Sequence, residues 1–219
     1  MRFNMKAVLF DFDYTLGDST NGIVESVNYA LEKMAYQKRE TTEICKTIGL
    51  SLRETYKTLT EDEKEAHAEK FAALFKEKAD LVMVANTTLY DGVTDMLDRI
   101  RKMGYRTGIV TTKYHYRIEQ ILRQYEVQDK IDVIVGGDDV RRQKPDPEGI
   151  LYAARALRVC ADEMLYVGDS LTDARAAESA KVGFAAVLTG TTCMEEFAPF
   201  PHVYIASRVD EIETYLKGI

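Results

Sequence analysis

The pattern of apolar and polar positions divides the chain into two textures. Residues 6–10 form a short apolar run that ends in Asp11-Phe12-Asp13, which predicts a buried strand with acids at its C-terminal end. For roughly 70 residues after it the spacing is helical. Ile23, Val24, Val27, Ala30, Leu31 and Met34 fall on one helical face, and Phe71, Leu74, Phe75, Ala79 and Val82 make a second stripe. Ser51 with Glu54, and Thr60 with Glu63, each match the Ser/Thr-x-x-Glu pattern that opens a helix. Beyond Asp91-Gly92 the texture alternates. Helices are predicted over 93–103, 114–125, 147–157 and 171–180, and strands over 106–110, 131–135, 164–167 and 184–188. A weaker strand (203–205) and a last helix (209–216) follow. Pro147 suits the first turn of its helix, with Asp146 as the N-cap.

Short, uniformly apolar strands that alternate with helices predict an α/β fold with a parallel sheet. The helical stretch then reads as a second domain inserted after the first strand. It covers residues 17–86, and residues 1–16 and 87–219 form the α/β unit.

In such sheets ligands sit beyond the carboxyl ends of the strands. The first strand ends at Asp11 and Asp13, and the second at Thr111-Thr112-Lys113. The third ends at Gly136-Gly137-Asp138-Asp139, followed by Lys144-Pro145. The fourth ends at Gly168-Asp169-Ser170, with Asp173 four residues after Asp169. Parallel neighbours would bring these groups to one edge of the sheet. Carboxylates gathered there raise one another's pKa, and a hard divalent cation such as Mg2+ removes the conflict. Asp11 and Asp169, from different strands, are the natural pair to hold it. A carboxylate can also act as a nucleophile and form an acyl phosphate. Lys144 would neutralise the nucleophile and the phosphoryl oxygens, and Thr111 would donate a hydrogen bond to them. Asp13 falls on the same side of an extended chain as Asp11 and could move a proton to a leaving oxygen and from water.

Composition narrows the classes. The 219 residues are 46% apolar and 30% charged, the make-up of an ordinary globular protein. No apolar run approaches the roughly 20 residues of a membrane span, and residues 7–10 are too short for a signal-peptide core. Lys plus Arg is 29 against 36 Asp plus Glu, a net charge of −7 that makes nucleic acids and anionic membranes poor partners. Cys45, Cys160 and Cys193 are odd in number and widely spaced, which suits the reducing cytoplasm and gives no disulfide framework. No long exposed apolar stripe is evident, so a monomer is expected.

The strand-end residues also resemble a family. Asp11-Phe12-Asp13-Tyr14-Thr15-Leu16 is similar to the first motif of the haloacid dehalogenase superfamily. Thr111 resembles the second motif, Lys144-Pro145-Asp146-Pro147 the third, and Gly168-Asp169-Ser170-Leu171-Thr172-Asp173 the fourth. All four stand in the family's order, and the helical insert resembles the small cap of its phosphoglycolate phosphatase-like members. The resemblance implies a Rossmann-like three-layer core, Mg2+, and phosphoryl transfer through a phospho-aspartate. By position it makes Asp11 the nucleophile and a metal ligand. It makes Asp13 the general acid and base, with its backbone carbonyl on the metal. Thr111 and Lys144 would bind phosphate, Asp169 would bind metal, and Asp173 with Ser170 would support them. Two departures bear on substrate: Tyr14 stands where many relatives have glycine, and Thr112 where many have asparagine. Thr112 and Arg53, the latter in a Gly-Leu-Ser-Leu-Arg loop of the insert, are candidate substrate contacts.

The expected activity is hydrolysis of a small phosphate ester, with phosphoglycolate as the substrate the resemblance names. A sugar-phosphate mutase of the β-phosphoglucomutase type or a pyrophosphatase would use the same aspartates. A phosphorylation-driven receiver module also combines acids, Thr and Lys on a parallel sheet, but the helical insert and the late Asp169–Asp173 pair argue against it. His67, His115 and His202 show no metal-binding spacing, and His115, just past the second strand, is the one placed for a substrate-side role.

Overall fold

Ala7, Val8, Leu9 and Phe10 have no exposed polar side to offer, and a strand apolar on both faces is stable only in the middle of a sheet. A computed structural model, which describes residues 5–218, places them there as β1 (Ala7–Phe10). After β2 (Gly17–Asp18) come the helices α1 (Thr20–Lys33), α2 (Thr41–Cys45), α3 (Leu52–Thr60) and α4 (Glu65–Val82). The chain returns through β3 (Thr88–Leu89), which pairs with β2. The alternating part is α5 (Val93–Lys102), β4 (Arg106–Val110), α6 (His115–Gln124), β5 (Val133–Val135), α7 (Glu148–Leu157), β6 (Met164–Gly168), α8 (Leu171–Ala180) and β7 (Gly183–Val187). A short α9 (Met194–Phe197), β8 (Tyr204–Ala206) and α10 (Glu211–Lys217) complete it.

The chain divides into two compact units, residues 18–88 and the remainder. The ends of the expected α/β unit, residues 1–4 and 219, lie outside the described residues. In the larger unit six parallel strands run in the order β5-β4-β1-β6-β7-β8. The chain builds one side of β1, then crosses to build the other. The switch therefore falls between β1 and β6, where open α/β sheets form a crevice beyond the strand ends. Phe10 is level with Ile109 of β4 and Val167 of β6. The next residues outward are Asp11 at the centre, flanked by Val110-Thr111 and Gly168-Asp169. Strand residues such as Leu9, Val135 and Phe184 form one core with Ile150 and Ala153 of α7 and Ala177 of α8.

The helical unit has its own core. Val27, Ala30 and Leu31 of α1 cluster with Ile44, Tyr56, Phe71, Phe75 and Ala79. Ser51 caps α3, accepting from the Glu54 N–H at 3.2 Å while Glu54 accepts from the Ser51 N–H. Thr60–Glu63 opens no helix. Thr60 is the last residue of α3 and its hydroxyl donates back to the Tyr56 carbonyl; Glu61 then turns left-handed, and α4 starts at Glu65. Local chemistry favoured a stop over a start. Similarly, Pro147 is the cap position of α7 rather than its first turn, and Asp146 accepts from the Glu148 N–H at 3.0 Å. The strand expected over 131–135 is three residues long, Val133–Val135, and follows a turn of 3-10 helix at Gln128–Lys130.

Candidate active site

Asp11 follows the buried end of β1 and is itself buried. Its N–H donates to Val167 O at 2.8 Å, which continues the β1–β6 ladder one step past the strand. Asp169 follows β6, and Asp173 is the third residue of α8. One carboxylate oxygen from each of Asp11, Asp169 and Asp173 lies within 4.8 Å of the others. Asp173 is fixed by the helix it begins. Ser170 is the N-cap of α8: its hydroxyl donates to Asp173 Oδ2 at 2.6 Å and accepts from the Asp173 N–H at 3.2 Å. A helix N-terminus adds favourable potential for negative charge there.

Lys144, from the loop before α7, brings one cation into this group. Its Nζ is 2.5 Å from Asp173 Oδ1, 2.9 Å from the Tyr166 hydroxyl and 2.9 Å from Asp11 Oδ1. The contact with Asp11 is a buried ion pair without hydrogen-bond alignment. The Tyr166 hydroxyl in turn contacts Val110 O at 2.8 Å and Asp173 Oδ1 at 3.1 Å. Burial pushes the Asp11 carboxyl up to about 6; Lys144 opposes the shift, and Asp173 and Asp13 add to it. Burial also holds Asp169 well above the usual carboxylate range, with Asp173 and Asp11 adding repulsion. Burial works against the charge on Lys144, but Asp11 and Asp173 outweigh it and its pKa rises. The site is therefore rich in negative charge that one lysine does not satisfy.

Hard oxygen donors on three neighbouring carboxylates and their mutual repulsion fit a small divalent cation. The Asp13 carboxylate is not in this trio. Its Oδ2 lies 3.1 Å from Lys113 Nζ, both side chains are nearly buried, and its Oδ1 has no hydrogen-bond partner. Burial lowers the pKa of Lys113, against the pull of Asp13. Thr111 sits at the β4 exit, and its hydroxyl accepts from the Lys113 N–H at 3.3 Å, which leaves its own proton free to donate. Thr112 is half-buried between them, its carbonyl hard against Gly137.

The structure thus brings Asp11, Lys144, Asp169, Asp173 and Ser170 together, with Asp13 and Thr111 at the neighbouring strand ends. Arg53 lies in the helical unit, exposed and ion-paired with Glu65. His115 pairs through Nδ1 with Asp139 at 2.6 Å, and its N–H donates to Asp138. Sequence reading singled out neither Lys113 nor Tyr166. Lys113 stood in view two residues after Thr111. Tyr166 gave no signal, since an aromatic inside an apolar strand reads as core.

A family model described as haloacid dehalogenase-like hydrolase matches residues 8–187. The phosphoglycolate phosphatase of Cereibacter sphaeroides is 33% identical over 98% of this chain and 99% of its own. The pyrophosphatase PpaX of Bacillus velezensis is 30% identical over 88% of this chain and 89% of its own. Among solved structures, a haloacid dehalogenase-like hydrolase from Bacteroides fragilis superposes with a TM-score of 0.92 at 40% identity, over 95% of this chain and 99% of that one.

Proposed function

This chain belongs to the haloacid dehalogenase-like hydrolases, and on that footing we propose that it is a Mg2+-dependent phosphatase that cleaves a small phosphomonoester through a phosphorylated Asp11. The observation that carries the reading is the buried trio Asp11, Asp169 and Asp173 around Lys144, set at the switch point of the sheet. Asp11 and Asp169, with the Asp13 carbonyl, would hold Mg2+, which when bound supplies positive charge against the carboxylates and the phosphoryl oxygens.

Lys144 is anchored by Asp173 and Tyr166, so it enters the reaction already oriented. It balances the charge of Asp11 and binds a phosphoryl oxygen. The Thr111 hydroxyl donates to a second one. Asp11 attacks phosphorus, and Asp13 gives its proton to the departing ester oxygen. Asp13 then takes a proton from the water that hydrolyses the acyl phosphate, and free Asp11 is restored. Phosphoglycolate is the substrate favoured by the names of several relatives. Pyrophosphate is a second reading with its own support, since relatives of nearly the same identity are named pyrophosphatases.

The test is steady-state hydrolysis of phosphoglycolate, sugar phosphates, nucleotides and pyrophosphate, with Mg2+ and with EDTA. Turnover concentrated on one small substrate and lost in EDTA is expected. A folded protein that turns over none of them would sink the proposal. Binding has a separate readout. Mg2+ should raise the melting temperature by relieving the carboxylate repulsion, and Asp169→Asn should remove most of that rise.

A further inference from the structure

Asp13 presents two chemically different oxygens. Oδ2 is 3.1 Å from the Lys113 ammonium, while Oδ1 is buried and has no hydrogen-bond partner. The lysine side chain is 4% exposed and that of Asp13 10%, so water competes little for this ion pair. Lys113 is also held along its backbone. Its N–H donates to Thr111 Oγ1 at 3.3 Å, and its carbonyl accepts from the Gly137 N–H at 2.9 Å. β4 and β1 are neighbours in the sheet, so the lysine past one strand end reaches the acid past the other. A surface lysine carries a long, freely rotating stem, whereas this one is pinned at both ends.

A carboxyl group that shuttles a proton must present one chosen oxygen to the reacting atom. If it rotates freely, the proton spends much of its time on the wrong side, and a misplacement of about 1 Å can cost a hundredfold in rate. We propose that Lys113 is a positioning residue for Asp13: it holds Oδ2 and so reserves Oδ1 for the proton transferred to the leaving group and recovered from water. The step balances. The proton on Oδ1 passes to the ester oxygen as its bond to phosphorus breaks and the bond from Asp11 to phosphorus forms. When water attacks the acyl phosphate, its proton returns to Oδ1 as the bond from Asp11 to phosphorus breaks. Lys113 keeps its own protons throughout. This inference rests on the phosphatase reading above.

The test uses the full-length protein with Mg2+ and a series of phosphomonoesters from p-nitrophenyl to simple alkyl, read as kcat/KM, which reports steps up to departure of the leaving group. A good leaving group needs no proton, and a poor one does. Lys113→Met is expected to lose about 10- to 100-fold on alkyl esters and no more than about threefold on p-nitrophenyl phosphate. Lys113→Arg, which keeps the charge on a differently shaped head, should show the same bias at smaller size, and it serves if the methionine variant does not fold. In an Asp13→Asn background, Lys113→Met should cost almost nothing further, because the group it positions is gone. A loss of equal size across the series would make Lys113 a contact for the substrate anion or a purely structural residue, and would overturn the inference. So would wild-type values, or a full loss in the Asp13→Asn background. A folded wild-type protein inert toward every ester would instead overturn the phosphatase reading, and this inference with it.

Discussion

Lys144 touches two carboxylates and a phenol hydroxyl, and all of them are buried. Removing it would leave three buried carboxylates with no cation among them, the most costly kind of unpaired charge. Lys144→Met is therefore expected to lower kcat/KM by at least about a hundredfold and also to lower the melting temperature. Adding Asp173→Asn should recover much of the melting temperature and none of the activity, as thermal denaturation beside steady-state kinetics would reveal. Tyr14 makes a different residue-scale point. Its φ of 60° is the left-handed conformation that glycine adopts without strain. The turn is secured on both sides of that residue: the Tyr14 N–H donates to Gly17 O at 2.8 Å, and the Thr189 hydroxyl donates to its carbonyl. The positions of Asp11, Asp169 and Asp173 were legible in the sequence because each ends a strand or begins a helix. The partners of Asp13 and Lys144 were not. A lysine that reaches across to the next strand depends on strand order, and a tyrosine hydroxyl inside an apolar strand has no signature of its own.

Helix ends decide what holds the smaller unit in shape. Between α3 and α4, Asp62 accepts from the Tyr36 and Tyr56 hydroxyls, both at 2.9 Å, and lies 2.6 Å from His67 Nδ1. His67, then the Lys64 N–H, hold its carboxyl well below the usual range; partial burial opposes them, and the two tyrosines add to the lowering. A depressed carboxyl pKa stabilises the fold above the unfolded value of about 3.9, and that contribution is lost as pH falls from there toward the folded value. Asp62→Asn should therefore melt lower than wild type at neutral pH, and the gap should shrink as pH falls below about 4. A gap that stays constant with pH would assign the effect to packing. The same elements show where sequence patterns mislead. Ser51–Glu54 and Thr60–Glu63 look alike on paper, yet only the first opens a helix. The second follows a turn of α3 already in place, whose hydroxyl bond to Tyr56 O leads into a left-handed stop at Glu61. Strand and helix alternation in the larger unit read through clearly because its strands are buried on both faces and its helices on one.

The helical unit and the sheet unit each carry a hydrophobic core of their own, which implies two cooperative units within one chain. Phe71→Ala removes a fully buried ring from the centre of the helical cluster, a cost of about 3–5 kcal/mol. Calorimetry should show one component of the unfolding transition move down in temperature while the component from the sheet unit moves little. A single transition shifting as a whole would mean the units unfold together. The strand order has a consequence for how the molecule comes into being. Ala7 of β1 pairs on one side with Arg106 and on the other with Met164. A ribosome adding about 5–20 residues per second makes β1 on the order of ten seconds or more before β6 leaves the exit tunnel. Throughout that interval the part of the growing chain outside the ribosome carries Asp11 but neither Asp169 nor the helix that fixes Asp173. On the proposed mechanism, translation thus makes the attacking acid early and completes its surroundings late.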